Sequence, residues 1–277
     1  MGTAGTVMLV TLVSGLGLHR WSPKDVFVFR PWSLPQCAWF DAHNLTGILA
    51  LLFHLMITFT GLMIFWSIYM PKEVQFLYGG DFILSLLSDL HFAQFGGTAL
   101  RWLYFLMGLA AAAMIATGLV LWTNKLRKYH AERSGVTRYR VVEALNVATV
   151  TGLLVATAVF FWADRVLPVA LIDRSQWEMR CFFVIWCCCF AHGLLRGGAI
   201  FAWKNQLYAA AFLLGLLPLL NGLMTNSHLL MTLSKGQWAL AGFDLTALAA
   251  GLLLGWTARR VGKVALDISK VSRTEKP

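Results

Sequence analysis

Long apolar runs fill most of this 277-residue chain and constrain its fold more than any other feature. A helix that crosses the hydrocarbon core of a bilayer needs about 20 predominantly apolar residues, and all the runs except the first approach or exceed that length. They do not alternate between polar and apolar residues as the strands of a membrane barrel do. The sequence therefore predicts an all-α polytopic membrane helix bundle of about seven spans. The predicted helices cover residues 4–18, 43–68, 98–123, 141–163, 179–201, 206–224 and 237–258.

The composition excludes most soluble classes of protein. Hydrophobic residues make up 58% of the chain and charged residues 13%, whereas soluble domains have about 25% charged residues. The net charge of +10 would point to nucleic acid in a soluble protein, but basic loops on one side of a membrane explain it here, so no nucleic-acid partner is expected. The five cysteines form no disulfide framework, and no motif for nucleotide binding or hydrolysis is present.

Basic residues set the predicted orientation in the bilayer. Of the 23 lysines and arginines, 17 fall in the connections after the first, third and fifth spans and in the C-terminal tail. Because basic loops stay in the cytoplasm, the N-terminus is predicted outside and the C-terminus inside. The chain then divides into a first membrane part (1–124), a basic cytoplasmic loop (125–140), a four-helix membrane part (141–258) and a basic cytoplasmic tail (259–277) that contacts lipid headgroups.

The longest outer connection contains one amphipathic segment. Residues 81–92, DFILSLLSDLHF, are predicted to form a helix at the outer interface. Gly96 and Gly97 then break the backbone before the third span.

Two histidines on the second predicted span have the spacing of haem ligands. His43 and His54 are 11 residues apart, which on one helix is about 20° from three full turns and a rise of about 16 Å. The same face carries Gly47, Ala50 and Gly61, which would let a flat porphyrin approach the backbone or let helices pack tightly. Ligation of two stacked haems and a polar contact between helices both fit this pattern.

Other candidate ligands have alternatives of equal weight. His91 ends the amphipathic segment. Arg101 would pair with a haem propionate or anchor the span at the interface. His192 would be a ligand or a hydrogen-bonded core residue, and His19 a ligand or a headgroup contact. Iron held by two histidines is six-coordinate and passes electrons, so such a stack would carry electrons across the membrane. Asp244, a further acid in the last span, would serve a polar contact or a proton relay.

The histidine-bearing blocks resemble the PepSY-associated transmembrane helix family, also called iron-regulated membrane proteins. The two sharpest are FDAHNLTGILALLFHLMITFTGLMIF and LHFAQFGGTALRWLYFLMGLAAAAMIATGLVLW, the second with the signature HFxQFGG. Weaker resemblance extends over most of the chain, and the matching stretches are residues 14–31, 40–65, 90–122, 144–156, 218–223 and 238–252.

This resemblance implies a haem protein of the bacterial inner membrane. Members of the family include reductases of ferric siderophores with b-type haems held by histidine pairs. His19, His43, His54 and His91 fall on the family's motif positions, and His192 falls on a less sharply defined one. The resemblance thus implies ferric-siderophore reduction at or near the periplasmic face, with residues 1–124 as the haem-binding part. The electron donor would be a quinol or a cytoplasmic reductase.

The chain departs from the family pattern at its N-terminus. Typical members begin with another histidine-bearing span and a periplasmic PepSY domain, and this chain is expected to lack both. Two haems are expected, or one if the first span normally supplies a ligand. The pairing is open: His54 with His91 or His192, and His43 with His19 or His192. Two alternative functions are a siderophore or metal transporter component, for which Pro218 and Asn221 are the only hint, and a non-catalytic subunit of a larger complex.

Overall fold

Helices make up nearly all of the part of the protein that the structure describes. A computed structural model describes residues 2–19, 28–32, 34–69, 81–131, 136–196, 199–225 and 228–274, and within them all regular structure is helical, which confirms the all-α prediction. The helices are α1 Gly2–His19, α2 Pro35–Leu49, α3 Leu51–Tyr69, α4 Asp81–Phe92, α5 Gly97–Ala131, α6 Val136–Val147, α7 Leu153–Val166, α8 Arg174–Leu195, α9 Ala199–Met224, α10 Leu229–Ser234 and α11 Trp238–Thr274, with a π-helical segment Ala148–Gly152 between α6 and α7.

The chain is a multi-pass membrane protein. Among the described residues five helices are long and apolar enough to cross a bilayer, and the bent pair α2–α3 makes a sixth if it counts as one span. In α1 the apolar helix within the described residues covers Gly5–Gly15, which is shorter than a full span. The predicted count of seven spans and their orientation stay predictions.

The prediction of one helix over residues 43–68 is wrong, because the helix is broken at Ala50. The segments Cys37–Leu49 and Leu51–Phe65 are bent by 61°. The hydroxyl of Thr46 donates to the carbonyl of Ala42 at 2.7 Å, a local bond that often bends helices, and the flexible Gly47 follows. His43 and His54 therefore lie on different helices.

Other predicted boundaries shift because helices continue beyond the apolar runs. The amphipathic helix covers residues 81–92 as predicted. Polar residues extend α5 to Ala131, and α6 begins at Val136, so helix occupies most of the predicted loop 125–140. Similarly, α11 continues to Thr274 through most of the predicted tail. Residues such as Lys and Arg are good helix formers, so a helix continues past the end of its apolar run. The hydropathy pattern marks only the end of the part that can lie in the membrane.

The chain divides into two compact units, residues 1–125 and residues 126–277. In the first unit α1 and α4 each pack along α3. In the second unit α9 and α11 make the most extensive helix pair, and a Cβ at Gly251 would lie 2.8 Å from the backbone nitrogen of Gly215. Glycine at this crossing lets the two backbones touch, as small residues commonly do between membrane helices.

Candidate functional site

His43 on α2 has a tautomer that is fixed by the neighbouring helix α5. Its Nδ1 lies 2.9 Å from the carbonyl oxygen of Met114 and 3.2 Å from Oγ1 of Thr117. A carbonyl oxygen only accepts hydrogen bonds, so Nδ1 carries the proton and Nε2 keeps its lone pair. A Cβ at Gly118 would lie 3.0 Å from Cε1 of the ring, so the ring packs where only glycine leaves room. A metal-ligating histidine typically donates its other N–H in this way.

A cavity of about 180 Å³ lies beside the His43 ring. It is smaller than the cavities of about 300–1,000 Å³ that take drug-sized ligands. Three helices besides α2 contribute to its mostly apolar wall. The lining residues are Thr11, Leu12, Gly15, His43, Asn44, Gly47, Ile48, Leu51 and Met114.

His54 on α3 is fully buried, with 0% of the residue exposed. Neither of its ring nitrogens has a hydrogen-bond partner within the part of the chain that the structure describes. Buried polar groups are nearly always paired, and each unpaired one costs about 1–3 kcal/mol. Among the described residues, the His54 side chain thus has two buried nitrogens for which the protein supplies no hydrogen-bond partner.

His91 at the end of α4 has the same tautomer as His43. Its Nδ1 lies 3.0 Å from Oγ1 of Thr60, whose own proton goes to the carbonyl of Met56 at 2.8 Å. Nδ1 must then donate, which leaves the lone pair on Nε2. The ring lies against α3, since a Cβ at Gly61 would be 3.0 Å from Cε1 of His91.

The three histidines lie at different heights in the first unit. Met56 contacts Tyr104, with 3.6 Å between its sulfur and the tyrosine hydroxyl, and His43 contacts Thr117. The α2–α3 pair therefore runs antiparallel to α5, because lower numbers on one side match higher numbers on the other. In this register His43 and His54 are 11 residues apart along α5, or about 16 Å. The distance between His43 and His54 along α5 thus agrees with the predicted value of about 16 Å. The prediction that both imidazoles leave one face of a single helix is not supported, because the two residues lie on different helices.

His91 and His54 do not meet. The ring of His91 lies at Gly61, seven residues beyond His54 on α3, which is a rise of about 10 Å. Two axial ligands must reach one iron from opposite sides at the same height. The pairing of His54 with His91 therefore has no support in this arrangement.

His192 on α8, in the second unit, has the opposite tautomer. Nε2 of Gln206 donates to the carbonyl of Cys189 at 2.7 Å, which fixes it as the amide nitrogen, and lies 3.3 Å from Nδ1 of His192. Nδ1 thus accepts, and the proton of a neutral ring is on Nε2. Thr151 completes this buried network by bonding Oε1 of Gln206 at 2.9 Å. Ligation through Nε2 would require this network to change.

The remaining predicted residues are not drawn together. His19 ends α1, and its side chain lies outside the described residues. Arg101 is exposed in the first turns of α5. His228, which was not among the predicted ligands, caps α10, since its Nδ1 accepts from the backbone nitrogen of Met231 at 3.2 Å. Within the described residues no group of three or more His, Cys, Asp or Glu is placed to hold a metal ion.

Asp244 makes a polar contact in the second unit. Its Oδ1 accepts from Nδ2 of Asn221 at 2.5 Å, and Oδ1 of Asn221 accepts from Nε of Arg165 at 2.6 Å. The guanidinium of Arg165 also lies 5.2 Å from the ring centre of Phe243. The amide of Asn221 thus bridges a cation and an anion.

Two features of the first unit were missed from the sequence. Arg30 clamps the start of α2, because its Nε and Nη2 donate to the two carboxylate oxygens of buried Asp41 at 2.9 and 3.0 Å. Thr58, one turn after His54, has a buried hydroxyl with no partner among the described residues. Thr58 lies within the predicted span 43–68 and Asp41 lies two residues before it, and polar groups so close to membrane depth were the available signal.

Comparison with known proteins supports the predicted family for the first unit. Residues 1–81 and 71–125 match the family described as "PepSY-associated TM region". A relative in Pseudomonas aeruginosa, "Uncharacterized protein PA4219", is 32% identical over 173 residues, which cover 60% of this chain and 41% of that relative. The chain thus spans about two fifths of the length of the curated relative it matches. No solved structure matches it.

Proposed function

Because residues 1–125 belong to the family of PepSY-associated TM regions, we propose that this membrane protein binds haem b and transfers single electrons to ferric siderophores. The proposed location is the bacterial inner membrane, with reduction at or near the periplasmic face. The electron donor in this proposal is a quinol or a cytoplasmic reductase. A haem iron held by two imidazoles has no open position for oxygen and supplies one-electron transfer.

The observation that carries the proposal is the unpaired state of His54. Its imidazole is fully buried and has no partner for either nitrogen within the described residues. An imidazole nitrogen is a usual axial ligand of haem iron, and ligation would use the lone pair that is otherwise unsatisfied. The side chain therefore fits a ligand to haem better than an ordinary core residue.

The tautomers of His43 and His91 also fit this role. Both rings donate through Nδ1 to an oxygen of a neighbouring helix, which orients the ring and leaves Nε2 free. Such an outer hydrogen bond also raises the basicity of the ligating nitrogen. His192, whose Nδ1 accepts from Gln206, has a structural role in the proposal.

A one-electron reduction of the bound iron is sufficient to release it from a siderophore. Ferric iron is held by hard oxygen donors, and the reduced ferrous ion binds the same donors more weakly. The electron that arrives converts Fe(III) to Fe(II), and the siderophore is released unchanged. No nucleophile and no general base are required.

The transporter alternative has less support. It needs a polar cavity near the middle of the membrane, and Pro218 and Asn221 were its hint. The side-chain amide of Asn221 is already bonded at both ends, to Asp244 and to Arg165.

The test begins with the haem content of the purified protein. We expect Soret and α bands on reduction, a loss of about one haem equivalent in His54→Ala, and unchanged haem in the control His192→Ala. The reduced protein, freed of excess reductant, should then reoxidise when a ferric hydroxamate is added, and a ferrous chelator should report the released iron. A colourless wild-type protein would refute haem binding, whereas a haem protein that no ferric chelate reoxidises would refute only siderophore reduction.

A further inference from the structure

The buried hydroxyl of Thr58 is the second unpaired group on the His54 segment. Thr58 is 7% exposed, and its Oγ1 has no partner among the residues that the structure describes. Other threonines on helices of the first unit donate to the carbonyl four residues earlier, as Thr46, Thr60 and Thr117 do at 2.7 to 2.8 Å. The equivalent carbonyl for Thr58 is that of His54, and the Thr58 hydroxyl does not donate to it. Its rotamer thus leaves the hydroxyl free for a group that is not part of the protein chain.

Thr58 and His54 lie on one side of α3. Four residues correspond to 400°, so the two side chains are separated by about 40° around the helix and by about 6 Å along it. Gly61 continues the same face at seven residues from His54, and it borders the His91 ring. A ligand that is bound at His54 and extends one turn along α3 would reach Thr58 before it meets the His91 ring at Gly61.

We propose that the Thr58 hydroxyl donates a hydrogen bond to a carboxylate of the haem that His54 holds, an inference that rests on the proposed function. Haem carries two carboxylates on one edge, and ionised carboxylates at membrane depth require a donor. A hydrogen bond from a hydroxyl to a carboxylate is charge-assisted and short. The ligand subsite therefore consists of an imidazole for the metal and, one turn further, a hydroxyl for the carboxylate.

The experiment compares haem with haem dimethyl ester, in which both carboxylates are neutral. Haem-free protein from haem-limited cells is titrated with each compound, and the ratio of the two apparent dissociation constants is measured. We expect wild-type protein to prefer haem, and Thr58→Val to lower that preference about tenfold, which corresponds to about 1.4 kcal/mol. Thr58→Ala also lacks the hydroxyl and should behave like Thr58→Val, while Thr58→Ser keeps it and should retain the wild-type ratio.

Thr157→Val is the control. The hydroxyl of Thr157 is already bonded to the carbonyl of Leu153 on its own helix, so its removal should leave the ratio unchanged. A wild-type ratio in both Thr58→Val and Thr58→Ala would refute a carboxylate contact and would indicate a buried water or no partner. If the wild-type protein takes up neither compound, the proposed function itself fails. If it takes up haem but the Thr58 variants keep the wild-type ratio, only this inference fails.

Discussion

Replacement of His54 by leucine should change stability in opposite directions in the haem-free and the haem-loaded protein. Without haem, the buried imidazole has one donor and one acceptor unpaired, and each costs about 1–3 kcal/mol. Leucine fills a similar volume without polar atoms, so the haem-free variant should gain about 2–6 kcal/mol, which is the cost of two unpaired groups. At about 2–4 °C for each kcal/mol this raises Tm by roughly 4–24 °C. With haem, the same change removes a ligand, and Tm should fall.

The assay is thermal unfolding in detergent, followed by tryptophan fluorescence, on protein prepared from haem-limited and haem-replete cells. His228→Leu serves as the control, because it removes a helix cap and should lower Tm by the same amount in both preparations. A lower Tm for haem-free His54→Leu would show that the His54 ring has partners that satisfy it. The argument for a missing ligand would then fail.

Three further predictions concern other parts of the molecule. Asn221→Leu leaves the buried carboxylate of Asp244 without its donor and should lower Tm more than the double variant Asn221→Leu/Asp244→Leu does; equal melting of the two variants would contradict this. Asp41→Ala breaks the clamp with Arg30 and should lower Tm in thermal unfolding, because two charge-assisted hydrogen bonds are lost; an unchanged Tm would show that the clamp is dispensable. A reporter fused after Pro277 should be active in the cytoplasm alone, as the distribution of basic residues implies, and periplasmic activity would overturn the predicted orientation.

The sequence predicts helices well where apolar runs are bounded by breakers. The bounds of α4 at residues 81–92 follow from its amphipathic pattern and from Gly96–Gly97 after it. The break at Ala50 is not visible in the same way, because alanine is the best helix former. The π-helical segment at residues 148–152 is likewise hidden, since Trp186 donates to its Ala148 carbonyl from another helix at 2.9 Å. The π-helical segment thus depends on a tertiary contact, whereas the break at Ala50 lies where no breaker residue marks it.

The candidate ligands could be chosen from the sequence, but their tautomers and their heights along the helices could not. Burial at membrane depth and spacing are sufficient to select His43 and His54. The tautomer of His43 depends on a carbonyl 71 residues away, and the height of His91 depends on its contact with Gly61. Both contacts join two helices and depend on how those helices are aligned along each other. The residue pattern of a single helix carries no information about that alignment.

The register of α1 bears on the partner of His43. A Cβ at Gly5 would lie 2.9 Å from Leu62, whereas Gly15 lines the same cavity as His43. Increasing numbers on α1 thus match decreasing numbers on α2–α3, so the helices run antiparallel. One further turn of α1 beyond Gly15 reaches His19, whose backbone in this register lies opposite Ile48, about 7 Å along the helix from His43.

His19, one turn beyond Gly15 in the wall of the cavity, is therefore the second ligand that we expect for His43. If both histidines hold one haem, His19→Ala and His43→Ala should each remove the same equivalent, and the double variant should lose no more than either alone. His43→Ala combined with His54→Ala should instead lose two equivalents, because the contacts of α2 and α3 with α5 place these histidines about 16 Å apart along α5. Haem content and the reduced-minus-oxidised spectrum measure both combinations. Additive losses in the His19 and His43 pair would mean that the two histidines serve different haems, and that His43 takes its partner from elsewhere.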